Sequence, residues 1–140
     1  MLDKNNGVVS GNDCFVYLNN ELLEDIKSFE WKVSLDFADV TYLGDPATYK
    51  KYQGFSGEGT LSFNKVKSRG ISLLKDALKT GIMPDVKIVT KMGNASTGRA
   101  ERCVISGVTF SEFGGGFESK STAEESLPFS FSKIEFPELM

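Results

Sequence analysis

From Phe29 to Phe37 apolar and polar side chains alternate without a break: Phe29, Trp31, Val33, Leu35 and Phe37, with Glu30, Lys32, Ser34 and Asp36 between them. Successive side chains of a strand point to opposite faces, so nine residues of period two predict a strand with one dry and one wet face. Five large apolar groups on one face require a second layer opposite them, which makes the chain a sandwich or barrel. At 140 residues the chain is expected to form one domain, 1–140, large enough to bury about two-thirds of its unfolded surface without a metal or disulfide.

The rest of the chain reads mainly as strand. Cys14 to Leu18 is a β-branched and aromatic run followed by Asn19-Asn20, two residues that tolerate positive φ, so a hairpin is expected there. Phe55, Gly57, Gly59, Leu61 and Phe63 alternate with polar residues, and the two glycines leave room for close packing or a bulge. Further alternation runs through 85–92, 99–113 and 127–136, with phase changes near Ser106-Gly107 and before Ile134 that suggest β-bulges. One helix is expected over about 68–80. It has Ser68 as N-cap, Gly81 past its end and Pro84 blocking continuation, and an apolar arc of Ile71, Leu73, Leu74, Ala77 and Leu78 turned onto the sheets. The fold class is therefore mainly β, an antiparallel sandwich or barrel of six to eight strands with one helix.

Two segments break the pattern. Residues 1–13 are polar and glycine- and asparagine-bearing, and read as an N-terminal arm. Residues 39–54 lose the alternation but keep Val40, Tyr42, Leu43, Tyr49 and Tyr52, and read as an extended loop that folds back or reaches a neighbour.

Absent residues exclude much chemistry. There is no histidine, hence no Ser-His-Asp or Cys-His nucleophile and no His-ligated metal, and Cys14 and Cys103 alone cannot complete a zinc site. Both cysteines lie in alternating apolar segments and read as small buried thiols; a disulfide between them is not expected in a reducing cytosol. Gly54 to Gly59 lacks the Lys-Ser/Thr of a phosphate loop, and Asn94-Ala-Ser96 has no value as a glycosylation acceptor without a secretory signal. Glu124 and Glu125 point to opposite faces of a strand and cannot cooperate as a hydrolase pair. The expectation is no enzyme and no cofactor.

Charge gives weak direction. Sixteen basic against nineteen acidic residues leave −3, no bulk attraction to nucleic acid or anionic lipid. The longest apolar run, Cys14 to Leu18, cannot span a membrane, and no signal segment is visible, so the default is a soluble chain made in the cytoplasm. Residues 65–91 hold seven Lys/Arg against Asp76 and Asp85, a local +5. Lys67, Arg69, Lys75 and Lys79 of this stretch are either a solvated helix face or an outer-surface patch that meets an acidic partner. Tyr49-Lys50-Lys51-Tyr52 interleaves aromatic and basic groups as single-strand nucleic-acid binders do.

The order of several segments resembles a known family. Val9-Ser10-Gly11, Val16-Tyr17-Leu18-Asn19 and Ile26 to Val33 resemble the opening of the tail tube proteins of phage-like elements, of the kind in PBSX-type defective prophages, contractile tails and bacteriocins. The likeness continues through Val40 to Gly44, Gly54, Gly57 to Phe63 and Lys65 to Arg69, and resumes at Glu124-Glu125, Phe129 to Phe131 and Ile134-Glu135. It implies a structural subunit whose sheets join in a hexameric ring as a continuous inner β-barrel, with rings stacked into a tube around a central channel. The implied partners are further copies of the chain, a tail sheath and a baseplate or tube initiator, with DNA passing unbound; the implied location is host cytoplasm during assembly, then the particle. Within that frame Tyr42, Leu43, Tyr49 and Tyr52 are expected at the contact between rings, with the N-terminal arm as second candidate. The competing readings are a ligand-binding β-sandwich module, an OB-like single-strand nucleic-acid binder and a hydrolase working with Asp and Glu alone.

Overall fold

The computed structural model describes residues 7–94 and 97–139, with Arg69 described by its backbone alone. After a single 3₁₀ turn at Gly11–Asp13 come β1 (Cys14–Leu18), β2 (Glu21–Leu22), β3 (Ile26–Thr41) and β4 (Thr48–Asn64). Two short helices follow, α1 (Arg69–Leu74) and α2 (Ala77–Thr80), and then β5 (Ile88–Asn94), β6 (Arg99–Ser106), β7 (Thr109–Phe110), β8 (Glu124–Phe131) and β9 (Lys133–Glu138). The strands form two antiparallel sheets, one in the order β2-β1-β5-β6-β9 and one in the order β3-β4-β8-β7. Between them lies one core that includes Val16, Leu61, Phe63, Ile88, Cys103, Ile105, Leu127 and Phe129.

The expected elements are present, though the strands number nine among the described residues against the expected six to eight because β2 and β7 are separate two-residue strands, and three further differences have physical causes. The β1–β2 hairpin turns through Asn19 (φ 49°) and Asn20 (φ 70°), the double positive φ that a two-residue turn matching the strand twist requires. Gly57 and Gly59 provide close packing: a Cβ on either would overlap the ring of Phe131 or Phe129 on β8.

The first difference concerns the two phase changes. They are places where the chain leaves one sheet for the other, rather than bulges within a strand: β6 and β7 lie in opposite sheets, as do β8 and β9. The two crossings meet at one corner, where Gly107 (φ 66°) abuts the Ser132 side chain.

Residues 39–54 differ most from expectation. They are strand at 39–41 and 48–54, joined by a turn over 42–47, so β3 and β4 make one hairpin paired from Ile26↔Phe63 out to Thr41↔Thr48. Alternation is lost because Gln53 is an extra residue: Asp36 pairs with Gly54 but Phe37 pairs with Tyr52. Gly54, at φ 147°, supplies the backbone conformation of this bulge.

The helical segment falls where expected but is divided at Lys75-Asp76. Leu74 is buried and Leu73 and Ala77 are half-buried, whereas Ile71 and Leu78, expected on the inner arc, face outward. Gly81 ends α2 in the left-handed conformation (φ 72°), its N–H donating to Ala77 O. Ser68 sits at the N-cap position of α1 without a side-chain cap bond. That role passes to Glu125 of β8, whose buried Oε1 accepts from Gly70 N–H at 3.1 Å.

Candidate assembly surfaces

β4 pairs with β8 only as far as Gly57↔Phe131, so beyond Val33 and Gly57 the hairpin continues as a two-stranded ribbon. The eight residues Ser34 to Thr41 carry it about 27 Å at about 3.4 Å each. The dry face of β3 therefore divides into two parts. Phe29, Trp31 and Val33 pack against the core, Phe29 stacking on Phe129 at 6.0 Å and Trp31 tilting onto Phe136 of β9 at 5.8 Å. Leu35 and Phe37 have no layer over them, and neither do Tyr52 and Phe55 opposite them; Phe37 and Tyr52 remain 52% and 53% exposed.

The Gln53 bulge restores the parity that places all four on one face. Phe37 and Tyr52 meet edge to face with centroids 6.0 Å apart. On the other face, nearer the tip, Tyr42 meets Tyr49 edge to face at 5.7 Å, next to Val40. The turn is tied by Asp45. Its Oδ1 accepts from Ala47 N–H at 2.9 Å and its Oδ2 from the Tyr49 hydroxyl at 2.6 Å. The Tyr49 hydrogen bond, with the Ala47 one behind it, holds the Asp45 carboxyl below the usual carboxylate range, and the same bond raises the Tyr49 phenol. Leu43 stands fully exposed at the apex.

All four residues expected at the ring contact, Tyr42, Leu43, Tyr49 and Tyr52, thus belong to this ribbon, Tyr52 on one face and Tyr42 and Tyr49 on the other. Leu35, Phe37 and Phe55 join them as exposed apolar groups that the sequence assigns to a core. No signal distinguishes them, because alternation has the same form whether its own sheet or a neighbour's covers the dry face. The Tyr-Lys-Lys-Tyr tetrad is divided between faces: Lys50 pairs with Asp39, Tyr49 bonds Asp45, and the two tyrosines cannot form one stacking platform.

The basic group gathers around the helical segment. Lys67, Lys75 and Lys79 are exposed and make no ion pair among the described residues. Lys27, Lys32 and Lys50 of the hairpin, in contrast, each sit on a carboxylate: Glu124, Glu58 and Asp39. The Arg69 side chain lies outside the described residues. Of the N-terminal arm, residues 7–13 are described, with Ser10 Oγ accepting from Asn12 N–H at 3.3 Å; residues 1–6 lie outside. No helix among the described residues is long and apolar enough to cross a membrane.

Comparison with known proteins agrees with this architecture. A family model described as phage tail tube protein matches residues 2–138. The phage-like element PBSX protein XkdM of Bacillus subtilis is 30% identical over 138 residues, 96% of this chain and 94% of that one. In fold the chain is similar to the tube-terminating cap of the anti-feeding prophage (TM-score 0.77, 13% identity, 94% of this chain and 92% of that one). It is also similar to a chain of the sheath-tube complex of an extracellular contractile injection system (0.74, 12%, 94% and 93%). A chain of the six-fold symmetrised anti-feeding prophage baseplate gives 0.64 at 11% identity, covering 88% and 89%. With a structural subunit's uncovered apolar ribbon and a family match that spans nearly its whole length, the chain belongs to the phage tail tube protein family and is a structural component of a phage or phage-like tail.

Proposed function

We propose that the chain assembles with itself into six-membered rings that stack as a tube around a channel, using the β3 edge within the ring and the β3–β4 ribbon between rings. The observation that carries this reading is the ribbon. A two-stranded hairpin is marginal on its own in water, and this one displays seven large apolar side chains, Leu35, Phe37, Tyr42, Leu43, Tyr49, Tyr52 and Phe55. Covering only Leu35, Phe37, Tyr52 and Phe55, each about half exposed, is worth roughly 3–6 kcal/mol.

The second support is the edge of the four-stranded sheet. Among the described residues β3 presents sixteen residues with no strand beyond them, and at the opposite edge the two-residue β7 leaves the first half of β8 uncovered. Addition of one subunit's β3 to the next subunit's β7–β8 edge satisfies both. The two sides of that contact differ, so it is a head-to-tail contact of the kind that makes a ring when its rotation closes. Sixfold symmetry is a property of the baseplate assembly to which the chain is similar in fold.

In such a ring the face of this sheet turned away from the core lines the channel. It carries Glu30, Lys32, Ser34, Ser56, Glu58 and Thr60, small or polar throughout, with Lys32 and Glu58 paired at 2.9 Å. A surface of hydroxyls on which Glu30 and Glu58 outnumber Lys32 suits passage of a polyanion without binding it. A sheath and a tube initiator are the further partners this reading assigns, and it assigns no catalysis.

The test is negative-stain electron microscopy of the concentrated protein, alone and with a baseplate-capped seed, beside sedimentation. Rings or hollow tubes are expected; monomers in both samples would overturn the reading. Tyr42→Ala with Leu43→Ala is expected to leave rings but deplete tubes. Undiminished tubes would remove the ribbon from the ring-to-ring contact.

A further inference from the structure

The four-stranded sheet has two ends, and both expose apolar side chains. At one end is the ribbon tip. At the other, β4 finishes at Asn64 opposite Glu124, and the chain passes directly into α1, fastened there by Lys65 N–H to Ala123 O (2.8 Å) and Gly70 N–H to Glu125. The outward side of the helical segment carries the exposed Ile71 of α1 and Leu78 of α2, followed after the Gly81 cap by the exposed Ile82 and Met83. Leu78 and Ile82 are 76% and 73% exposed, with no element over them among the described residues. Lys75 and Lys79 rim this strip without carboxylate partners, while the 42–47 turn at the opposite end carries a single charge, the Asp45 carboxylate.

We infer that the ribbon tip of one subunit seats on the Ile71-Leu78-Ile82 strip of a second copy in the adjoining ring. This rests on the tube reading above and names the surface that receives the ribbon. Three relationships support a second copy as the occupant. The donor and receiver lie at opposite ends of one sheet, so a contact between them repeats in one direction without closing, as a stack of rings requires. Each leaves apolar area that its own subunit does not cover. The two ends differ in charge: the ribbon turn carries Asp45, with Lys50 neutralised by Asp39 and Lys51 further from the tip, whereas on the helical segment Lys67, Lys75 and Lys79 outnumber Asp76, which favours head-to-tail over head-to-head contact.

The experiment needs no substitution. Lys50 and Lys51 lie on the ribbon, and Lys67, Lys75 and Lys79 around the strip; twelve strand residues separate Lys51 from Asn64, about 40 Å. A short amine-reactive crosslinker cannot span that distance within one subunit. Wild-type tubes and wild-type monomers are treated with such a reagent and the linked peptides mapped by mass spectrometry. Links from Lys50 or Lys51 to Lys75 or Lys79 are expected in tubes and absent from monomers. Tubes whose ribbon lysines link only elsewhere, for example to Lys91 or Lys133 of a neighbour, would overturn the inference and leave the tube reading standing. Failure to form tubes, alone or from a seed, would overturn both. As a second measurement, Leu78→Glu with Ile82→Glu is expected to leave the urea midpoint of the monomer unchanged and rings intact while tubes are lost; tubes at wild-type yield would sink the assignment.

Discussion

The buried carboxylate of Glu125 and the backbone of Gly70 are made for each other: Oε1 accepts the Gly70 N–H at 3.1 Å, and a Cβ on residue 70 would overlap that same oxygen. Lys65 Nζ lies 3.2 Å from the other oxygen, so a carboxylate 4% exposed is both hydrogen-bonded and ion-paired. This contact fixes the first turn of α1 to the start of β8, which places the helical segment at the end of the sheet opposite the ribbon. Gly70→Ala is expected to cost about 2 kcal/mol by overpacking against Glu125 and the Leu127 side chain. Glu125→Ala leaves a buried N–H without its acceptor and costs about as much. Urea unfolding of both variants checks this, and a Gly70→Ala midpoint equal to wild type would show that the oxygen can move aside at no cost.

At the other junction, Gly107→Ala has two costs that can be separated. One is the left-handed backbone at φ 66°, about 1 kcal/mol for a residue with a Cβ; the other is the collision with the Ser132 side chain. The double variant Gly107→Ala with Ser132→Gly is expected to recover the collision and keep the backbone cost. A double-mutant cycle from denaturant midpoints reads the difference as a coupling of about 1 kcal/mol or more. Strict additivity would mean that the two sheet crossings do not lean on each other.

How much of this was visible in the chain follows from where each signal is local. The alternation at 29–37 gave the strand, and Asn19-Asn20 gave the hairpin, because both depend on neighbours in sequence. The ribbon did not read as strand because Gln53 breaks its parity and because Tyr49 and Tyr52 belong to different faces, neither of them dry within the subunit. The phase changes at 106–107 and before Ile134 were visible, but a sheet crossing and a bulge shift parity alike. Alternation puts Glu125 in phase with Leu127, Phe129 and Phe131 and Glu124 on the other face, but the groups that make a buried carboxylate tolerable, Lys65 and Gly70, lie far away in sequence, as does the Lys27 that pairs with Glu124. Ile71 and Leu78 fit an inner arc on an ideal helix, yet the break at Lys75-Asp76 and the short span of each piece leave them outside.

The two thiols are expected to differ in reactivity. Burial pushes the Cys103 thiol up to about 11, and burial also raises Cys14, half-buried at the start of β1, where Sγ lies 3.5 Å from Ser10 O. At pH 8 the thiolate fraction of Cys103 is about one in a thousand, and 1% exposure shields what there is. A thiol-specific reagent at pH 8 should modify Cys14 alone in the folded chain and both in urea. The sign of the linkage follows: a folded value above the unfolded one contributes stability present below about pH 9 and lost as pH rises toward 11. Equal labelling rates for the two in the folded chain would contradict the packing of β5 and β6.

The sharpest division between folding and assembly lies at Phe37 and Tyr52. Their rings touch each other, and no core residue covers them, so Phe37→Ser with Tyr52→Ser removes one cross-strand pair worth about 1 kcal/mol and no buried core. The same change inside the neighbouring core, Phe129→Ser, removes a ring packed against Phe29, Phe110 and Phe131 and is expected to cost about 4 kcal/mol. In the proposed tube the order is expected to reverse. Covering two half-exposed rings there would contribute about 2 kcal/mol per subunit, so the critical concentration for the ribbon variant is expected to rise roughly thirtyfold. Urea midpoints of monomers and pelleting of tubes across a concentration series measure the two effects separately. A ribbon variant that unfolds as easily as Phe129→Ser yet polymerises at the wild-type concentration would place these rings in the subunit's own core.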